Sequence, residues 1–338
     1  MKKTRNKDSL PANSTGASTQ FLVGDEHLGQ RLDNFLISKL KGVPKSLIYR
    51  LVRQGKIKVN HKPANADTRI VAAAHITLPV SLRYNLPTAT DTRLPPRKLQ
   101  DLLVNSILLE NAQFIVLNKP SGMAVHGGSG IHFGVIETMR SIKPAWQKLE
   151  LAHRLDRDSS GCLLLAKKRR VIAAFQQAFN LKHATKYYLL LVPGHFPTTP
   201  QRVELPLRKN QLQSGERMVV VDHKNGKPAA TDFHLVEQFR DCALVGATLQ
   251  SGRTHQIRVH AASLGFPLAG DEKYGKQEFN ATMRRLGLHR LFLHARTLTI
   301  NWLDDDLEPF TVSAPLDQQL RKLLLTIRSA QHISHIQP

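Results

Sequence analysis

Short apolar runs that alternate with amphipathic segments over a long second half, preceded by a compact basic stretch of helical period, predict an α/β or α+β chain of two domains. Three observations carry this. Between Gly29 and Gly55 apolar residues recur at the spacing of one helix face. From Pro79 to Asp101 the period is lost among Pro87, Pro95 and Pro96. From Ser106 onward strand-like runs and helical segments follow one another, the pattern of a mixed sheet covered by helices. A chain of 338 residues is also too long for one small core and has ample length for one large one.

In the first domain, Leu32, Phe35, Leu36 and Leu40 mark a helix that Lys41-Gly42-Val43-Pro44 breaks. Leu47, Ile48, Leu51 and Val52 mark a second, stopped by Gly55. Ile57 to Asn60 and His75 to Leu78 read as short strands. The opposite face is basic: Arg31, Lys39, Lys41, Lys45, Arg50, Arg53, Lys56, Lys58 and Lys62, with Asp33 the only acid among them. By itself such a run is as compatible with a solvated face as with an RNA-binding one. The aperiodic stretch, taken as residues 81 to 104, reads as a linker that is semi-rigid near the paired prolines.

The formal net charge of +22 is costly in self-repulsion unless a polyanion offsets it, so nucleic acid or an anionic surface is the expected partner. No run of about twenty apolar residues exists to span a bilayer, which excludes membrane insertion by such a helix. Lys2, Lys3, Arg5 and Lys7 open residues 1 to 20, but Ser9 to Gln20 lacks the apolar core of a signal peptide, so a disordered basic tail of a cytoplasmic protein is expected. Cys162 and Cys242 are the only cysteines and agree with a reducing compartment.

In the second domain, Ile107 to Leu109 and Phe114 to Leu117 are strand-like, and Asn118 to Gly128 is dense in turn residues. That loop lacks the Gly-x-x-x-x-Gly-Lys-Ser/Thr spacing of a triphosphate site. His153-Arg154-Leu155-Asp156-Arg157-Asp158-Ser159-Ser160-Gly161 then runs from a polar loop into the apolar run Cys162 to Ala166, where a scaffold would present a reactive group. Asp156 is the candidate, although an aspartate between two arginines is in isolation more often a surface ion pair. Val171, Ile172, Phe175, Ala178 and Phe179 mark a helix, and Lys186 to Val192 a strand on which Tyr187 and Tyr188 face opposite sides. Met218 to Val221, Ala229 to Glu237 and Ala243 to Gln250 continue as strands, with Asn225-Gly226 a hairpin turn signal. Ser251 to His260 contains His255, Arg258 and His260. Read as metal ligands, the histidines lack an H-E-x-x-H pattern or a cysteine cluster. A closing amphipathic helix is expected from Leu316 to Ile327, within a second domain placed at residues 105 to 330, with a tail from 331 to 338.

The stretch H-R-L-D-R-D-S-S-G resembles the signature of the pseudouridine synthases of the RluA superfamily. Lys186-Tyr187-Tyr188 is similar to a second motif of that family, and G-R-T-H-Q-I-R-V-H, from Gly252 to His260, to a third. Asn118 to Gly128, Leu264 to Gly275 and Arg290 to Ala295 resemble further family segments. R-L-D-N-F-L followed by K-G-V-P-K-S-L-I-Y-R-L-V-R-Q-G-K-I-K-V-N is similar to an S4 RNA-binding domain, placed at residues 21 to 80. It departs from that pattern at Ala72-Ala73-Ala74-His75, where a Gly-Asp turn is usual.

What the resemblance implies is an α+β chain: a small S4 module and a catalytic domain with a mixed, largely antiparallel central sheet. The implied reaction isomerises uridine in RNA, breaking the N1–C1′ bond and joining C5 to C1′, with no redox change and so no cofactor or metal. It implies catalysis by Asp156, base stacking by Tyr188, an Arg258 partnered to Asp156, and Arg154 filling the place of the flipped base. Asn118 to Gly128 is implied to pack beside the active site. Arg50, Arg53, Lys56 and Lys58 are expected on RNA phosphates. K-G-V-P-K-S-L-I-Y-R, H-G-G-S-G before F-G-V-I-E, and L-Q-S-G-E-R are most similar to members acting on large-subunit ribosomal RNA. The alternatives are another ribosomal or a transfer-RNA branch, and, from other classes, a non-catalytic S4 ribosome-assembly protein or a metal hydrolase using the histidines. The sequence leaves the oligomeric state open, with a monomer favoured.

Overall fold

The computed structural model describes residues 19–24, 27–40, 43–71, 73–79, 82, 94–127, 133–211 and 217–334. Residues 1 to 18 of the basic tail, the glycines at 128 and 130 and most of L-Q-S-G-E-R therefore lie outside the described residues. The chain divides into two compact units, residues 1 to 93 and 94 to 338.

The first unit holds β1 (Thr19–Leu22), α1 (Leu32–Lys39), α2 (Lys45–Arg53), β2 (Lys58–Val59), β3 (Lys62–Pro63) and β4 (His75–Leu78). Its antiparallel sheet has the order β1-β4-β2-β3. The apolar face predicted for both helices is the buried one: Leu32, Phe35 and Leu36 meet Ile48, Leu51 and Val52, with Ile57 just before β2, Ile76 from β4 and Leu82 beyond them. β1 falls partly in what the sequence assigned to the tail. At Ala72-Ala73-Ala74, Ala73 adopts a left-handed φ of 52°, the conformation a glycine turn provides without strain. A non-glycine residue accepts that cost when the surrounding core specifies the turn, here Ala74 and Ile76 on its C-terminal side.

The second unit opens with α3 (Arg97–Val104), β5 (Ile107–Glu110), β6 (Phe114–Lys119), α4 (Val135–Ile142), β7 (Glu150–Leu151), β8 (Ser160–Ala166), α5 (Arg169–Asn180) and β9 (Ala184–Pro193). It continues with β10 (Gln201–Glu204), β11 (Leu207–Gln211), β12 (Arg217–Val221), β13 (Ala230–Gln238), β14 (Cys242–Leu249), α6 (Gln256–Ser263), α7 (Gln277–Arg285), β15 (Leu293–Ile300), β16 (Phe310–Ser313) and α8 (Gln318–Ser334). The central sheet runs β10-β13-β14-β9-β15-β8-β6-β5, with β16 on β15 and β7 on β8. Among the described strands only β15 and β8 pair in parallel, so the sheet is mixed and largely antiparallel.

Two expectations need correction. The linker does not reach 104: Arg97–Val104 is a helix of the second unit, and its Leu103 is fully buried in the large core. Its period was too short, and too close to the paired prolines, to stand out. Nor does Asn225-Gly226 join paired strands. β12 pairs with β11, and β13 with β10 and β14. The dipeptide lies in a turn closed by Gly226 N to Asp222 O at 2.8 Å, with the Asp222 carboxylate accepting from the amides of Lys224 and Asn225. Gly226 is required there by close packing, since a Cβ would stand 2.3 Å from Asp222 O.

The strands that carry the site are the innermost. Every residue of β8 is buried, which explains its uninterrupted apolar run. On β9 the two faces serve different cores: Tyr188, Leu190 and Val192 enter the large one, Leu189 and Leu191 the smaller one beneath α7 and α8. Each such leucine contributes up to about 1.5–3 kcal/mol of transfer free energy. No helix among the described residues is long and apolar enough to cross a membrane.

Candidate active site

Asp156 sits in the loop between β7 and β8, and that loop is tied down on every side. Leu155 anchors it in the core, and Ser159 N bonds back to Asp156 O at 3.2 Å. Lys119, fully buried at the end of β6, donates from Nζ to the carbonyls of Pro120, Met123 and Arg157 at 2.9, 2.7 and 3.0 Å. Burial, and then the charge of Arg290, press its pKa down to about 7. Ser121 Oγ donates to Asp158 O at 2.7 Å. Lys119 and Ser121, at the start of the turn-rich segment after β6, thus brace the Asp156 loop.

At the C-terminal edge of the loop, Gly161 has a φ of 106°, and a Cβ there would lie 2.2 Å from Ala295 O. The last glycine of H-R-L-D-R-D-S-S-G is needed because β15 passes in parallel at that point. Beside it Ser160 Oγ accepts from Arg290 Nη2 at 2.7 Å, so its own proton goes to His294 Nδ1 at 2.8 Å. His294 Nε2 then donates to Ala314 O at 3.0 Å. Burial lowers the His294 pKa to about 4, which keeps it neutral as that chain of bonds requires.

A cavity of roughly 190 Å³ opens over Asp156, lined among others by Arg154, Lys186, Tyr188, His255 and Arg258. Tyr188 is buried on the β9 face turned to the cavity, while Tyr187 lies on the other face and bonds His234 at 3.3 Å. Burial, reinforced by the nearby Asp156, raises the Tyr188 pKa, so it is a neutral phenol at working pH. Lys186, two residues earlier on the same face, lies 3.7 Å from the centroid of the Phe179 ring, and burial lowers its pKa to about 8. Arg154 is exposed at the rim. His153 is turned inward, its Nε2 accepting from Leu164 N at 3.1 Å.

α6 brings the other partners. Arg258 Nη1 stands 3.9 Å from Asp156 Oδ2, but its main partner is Asp271, which accepts from Nε and Nη2 at 2.7 Å each. This bidentate pair is buried, and Asp271 also accepts from the amides of Lys273 and Tyr274. The expected pairing of Arg258 with Asp156 is therefore a longer-range one, through a guanidinium that Asp271 holds. His255 Nε2 lies 3.8 Å from Asp156 Oδ2. Gln256 fixes the entry to α6 by accepting from Ser251 Oγ and Arg253 N and donating to Ala230 O and Thr231 Oγ1. His260 points elsewhere, with its nitrogens on Thr231 Oγ1 and Leu205 O.

Asp156, Arg154, Tyr188 and Arg258 thus meet at one cavity. Arg50, Arg53, Lys56 and Lys58 lie in the first unit, all exposed, on the end of α2, the turn after it and the start of β2. Asp271 and Tyr274 were not singled out for the site by sequence reasoning, His255 was weighed there only as a metal ligand, and Lys186 entered only as the first residue of the K-Y-Y motif. The density of polar residues in G-D-E-K-Y-G and R-T-H-Q-I-R was the signal for Asp271, Tyr274 and His255.

Two family patterns match the chain: that of the RNA pseudouridylate synthases over residues 113–263 and that of the S4 domain over residues 30–73. The chain is 44% identical over 311 residues to the ribosomal large subunit pseudouridine synthase C of Yersinia pestis, covering 90% of this chain and 94% of that protein. To the Escherichia coli K12 protein of the same name it is 42% identical over 314 residues, covering 92% and 96%. Among solved structures, the human RNA pseudouridylate synthase domain containing 4 matches with a TM-score of 0.56 at 24% identity, over 68% of this chain and 96% of that one, a likeness of fold. The buried catalytic-domain sheet, the braced Asp156 loop and these matches agree, and the chain belongs to the RluA-type family of RNA pseudouridylate synthases, with an S4 domain in its first unit.

Proposed function

We propose that this enzyme converts uridine to pseudouridine in large-subunit ribosomal RNA, with Asp156 as the acting carboxylate. The observation that carries the reading is the convergence of Asp156, Tyr188 and Arg258, from three separate motif segments, on a single cavity. Relatives named for the large ribosomal subunit and alike over nine-tenths of the chain support the substrate.

The chemistry suits the residues. A uracil in folded RNA has to leave its stack before a side chain reaches C1′, at a cost of a few kcal/mol. Tyr188 offers the flipped base a π face worth about 1–3 kcal/mol. Arg154, exposed at the rim, is placed to fill the vacated position. Asp156 acts ionised, either attacking C1′ or removing a sugar proton, while the N1–C1′ bond breaks and the uracil turns. C5 then joins C1′, C5 loses its proton and N1 gains one. Arg258 holds the carboxylate in one orientation, and Arg50, Arg53, Lys56 and Lys58 take phosphates of the same RNA.

Asp156→Asn tests it, because the change is nearly isosteric and removes the charge the chemistry uses. Tritium release from 5-tritiated uridine in a ribosomal RNA fragment is expected to vanish, while circular dichroism and RNA affinity stay those of the parent. Substantial turnover by the variant would falsify the assignment of Asp156.

A further inference from the structure

Asp156 is approached from two directions. Arg258 is one, and His255 is the other. His255 Nε2 stands 3.8 Å from Asp156 Oδ2, and its Nδ1 lies 2.9 Å from the Tyr274 hydroxyl. That hydroxyl already accepts from the Val219 backbone N–H at 2.8 Å. A phenol has one proton to give, and with the amide occupying a lone pair, the proton is directed at Nδ1. A neutral imidazole so engaged carries its own hydrogen on Nε2, the nitrogen that faces the carboxylate.

The surroundings favour the neutral ring. Burial lowers the pKa of His255, with Arg258 and Lys273 acting in the same sense and Asp156 and Asp271 against it. The backbone adds a second observation. His255 has a φ of 53°, a left-handed conformation that a non-glycine residue keeps only where its surroundings over-determine it. Tyr274 is held as firmly. Its ring packs 5.0 Å from the Arg258 guanidinium, and its amide donates to Asp271.

We propose that His255 and Tyr274 are a positioning pair for Asp156, in which the Tyr274 hydroxyl locks the imidazole in the tautomer that presents Nε2–H to the carboxylate. The carboxylate then lies between an imidazole N–H and a guanidinium N–H. At 3.8 and 3.9 Å neither contact is a formed hydrogen bond, and catalytic contacts of this length tighten in the complex with substrate. This inference rests on Asp156 being the acting carboxylate, and it adds a second support to it.

Two substitutions in the full-length protein separate the pair from the fold. Tyr274→Phe keeps the ring against Arg258 and deletes the hydroxyl. His255→Asn keeps a residue that tolerates left-handed backbone and deletes Nε2–H. Single-turnover rates at saturating enzyme on a 5-tritiated ribosomal RNA fragment are expected to fall at least about tenfold in each, with RNA dissociation constants within about twofold of the parent. Nitrogen-15 spectra of histidine-labelled protein, with His255 identified by its absence from His255→Asn, are expected to show the Nε2–H tautomer in the parent and a mixture in Tyr274→Phe. An Nδ1–H tautomer in the parent, or parental single-turnover rates in both variants, overturns the proposal. If His255→Asn fails to fold, the rate of Tyr274→Phe and the spectra of the parent and Tyr274→Phe decide alone, with the His255 signal then identified from a folded His255→Gln protein. An active Asp156→Asn protein faults the reading of Asp156 itself, whereas an inactive one beside fully active pair variants faults the pair only.

Discussion

Arg258 illustrates how one side chain serves two carboxylates of different kinds. Asp271, wholly buried, takes two of its N–H groups at 2.7 Å, and Asp156, partly open to the cavity, faces the remaining nitrogen at 3.9 Å. Burial works against the charge of Arg258, and the Asp271 hydrogen bonds more than offset it, so the guanidinium stays charged beside Asp156. Breaking a buried pair by removing one partner costs about 3–5 kcal/mol, because the other is left without its counter-charge. Arg258→Met is therefore expected to lose both the chemical step and a few kcal/mol of stability. Asp271→Asn, which keeps the shape, is expected to slow single turnover by about tenfold or more, a loss of at least about 1.4 kcal/mol of transition-state stabilisation, with RNA affinity unchanged. If only the dissociation constant moved in these variants, Arg258 would be a phosphate contact rather than a support for Asp156.

The element that determines the geometry of the site is the parallel contact of β8 with β15. Gly161 allows it, and Gly161→Ala would push a methyl group into the Ala295 carbonyl at a backbone angle that side chains rarely adopt. A loss of roughly 3 kcal/mol or more is expected, read as a lower urea midpoint followed by tryptophan fluorescence. The only tryptophans, Trp146 and Trp302, lie in the second unit, so the signal reports on that unit alone. The same contact carries a pH dependence. His294 on β15 has a folded-state pKa of about 4, below its ordinary value near 6.5. Its contribution is fully present above about pH 6.5 and is lost as pH falls toward 4, because the unfolded chain takes up a proton that the folded one refuses. The span amounts to about 3 kcal/mol. Urea unfolding of the parent between pH 7.5 and 4 should show that decline, and His294→Gln should make it shallower without abolishing it, since burial also lowers the His153 pKa to about 3. Equal slopes in the two proteins would remove His294 as the cause.

For the whole molecule the governing quantity is the charge of +22, which concentrates in part on the first unit. Arg50, Arg53, Lys56 and Lys58 are all exposed, and each phosphate they neutralise releases a counterion. Replacing all four with alanine is expected to weaken binding of a ribosomal RNA fragment and reduce the slope of log affinity against log salt by about 3. Chemistry at saturating enzyme should persist, since Asp156, Tyr188 and Arg258 belong to the second unit. Binding isotherms at several potassium chloride concentrations measure this, and coincident slopes would mean that the basic face is merely solvated. The helices of the first unit, the buried β8 and the two faces of β9 were legible in the residues, because period is a local property of a chain, whereas the roles expected of Asp156, Arg154, Tyr188 and Arg258 came from the resemblance of their motifs to a family. What only the tertiary structure decided is which groups those residues meet. Lys119 beneath the Asp156 loop and Ala295 against Gly161 are brought together by the order in which strands enter the sheet, which no local pattern in the sequence records. Asp271 under Arg258 and Tyr274 behind His255 come from the strand-free turn that follows α6, whose path back onto that helix is likewise set by packing rather than by period.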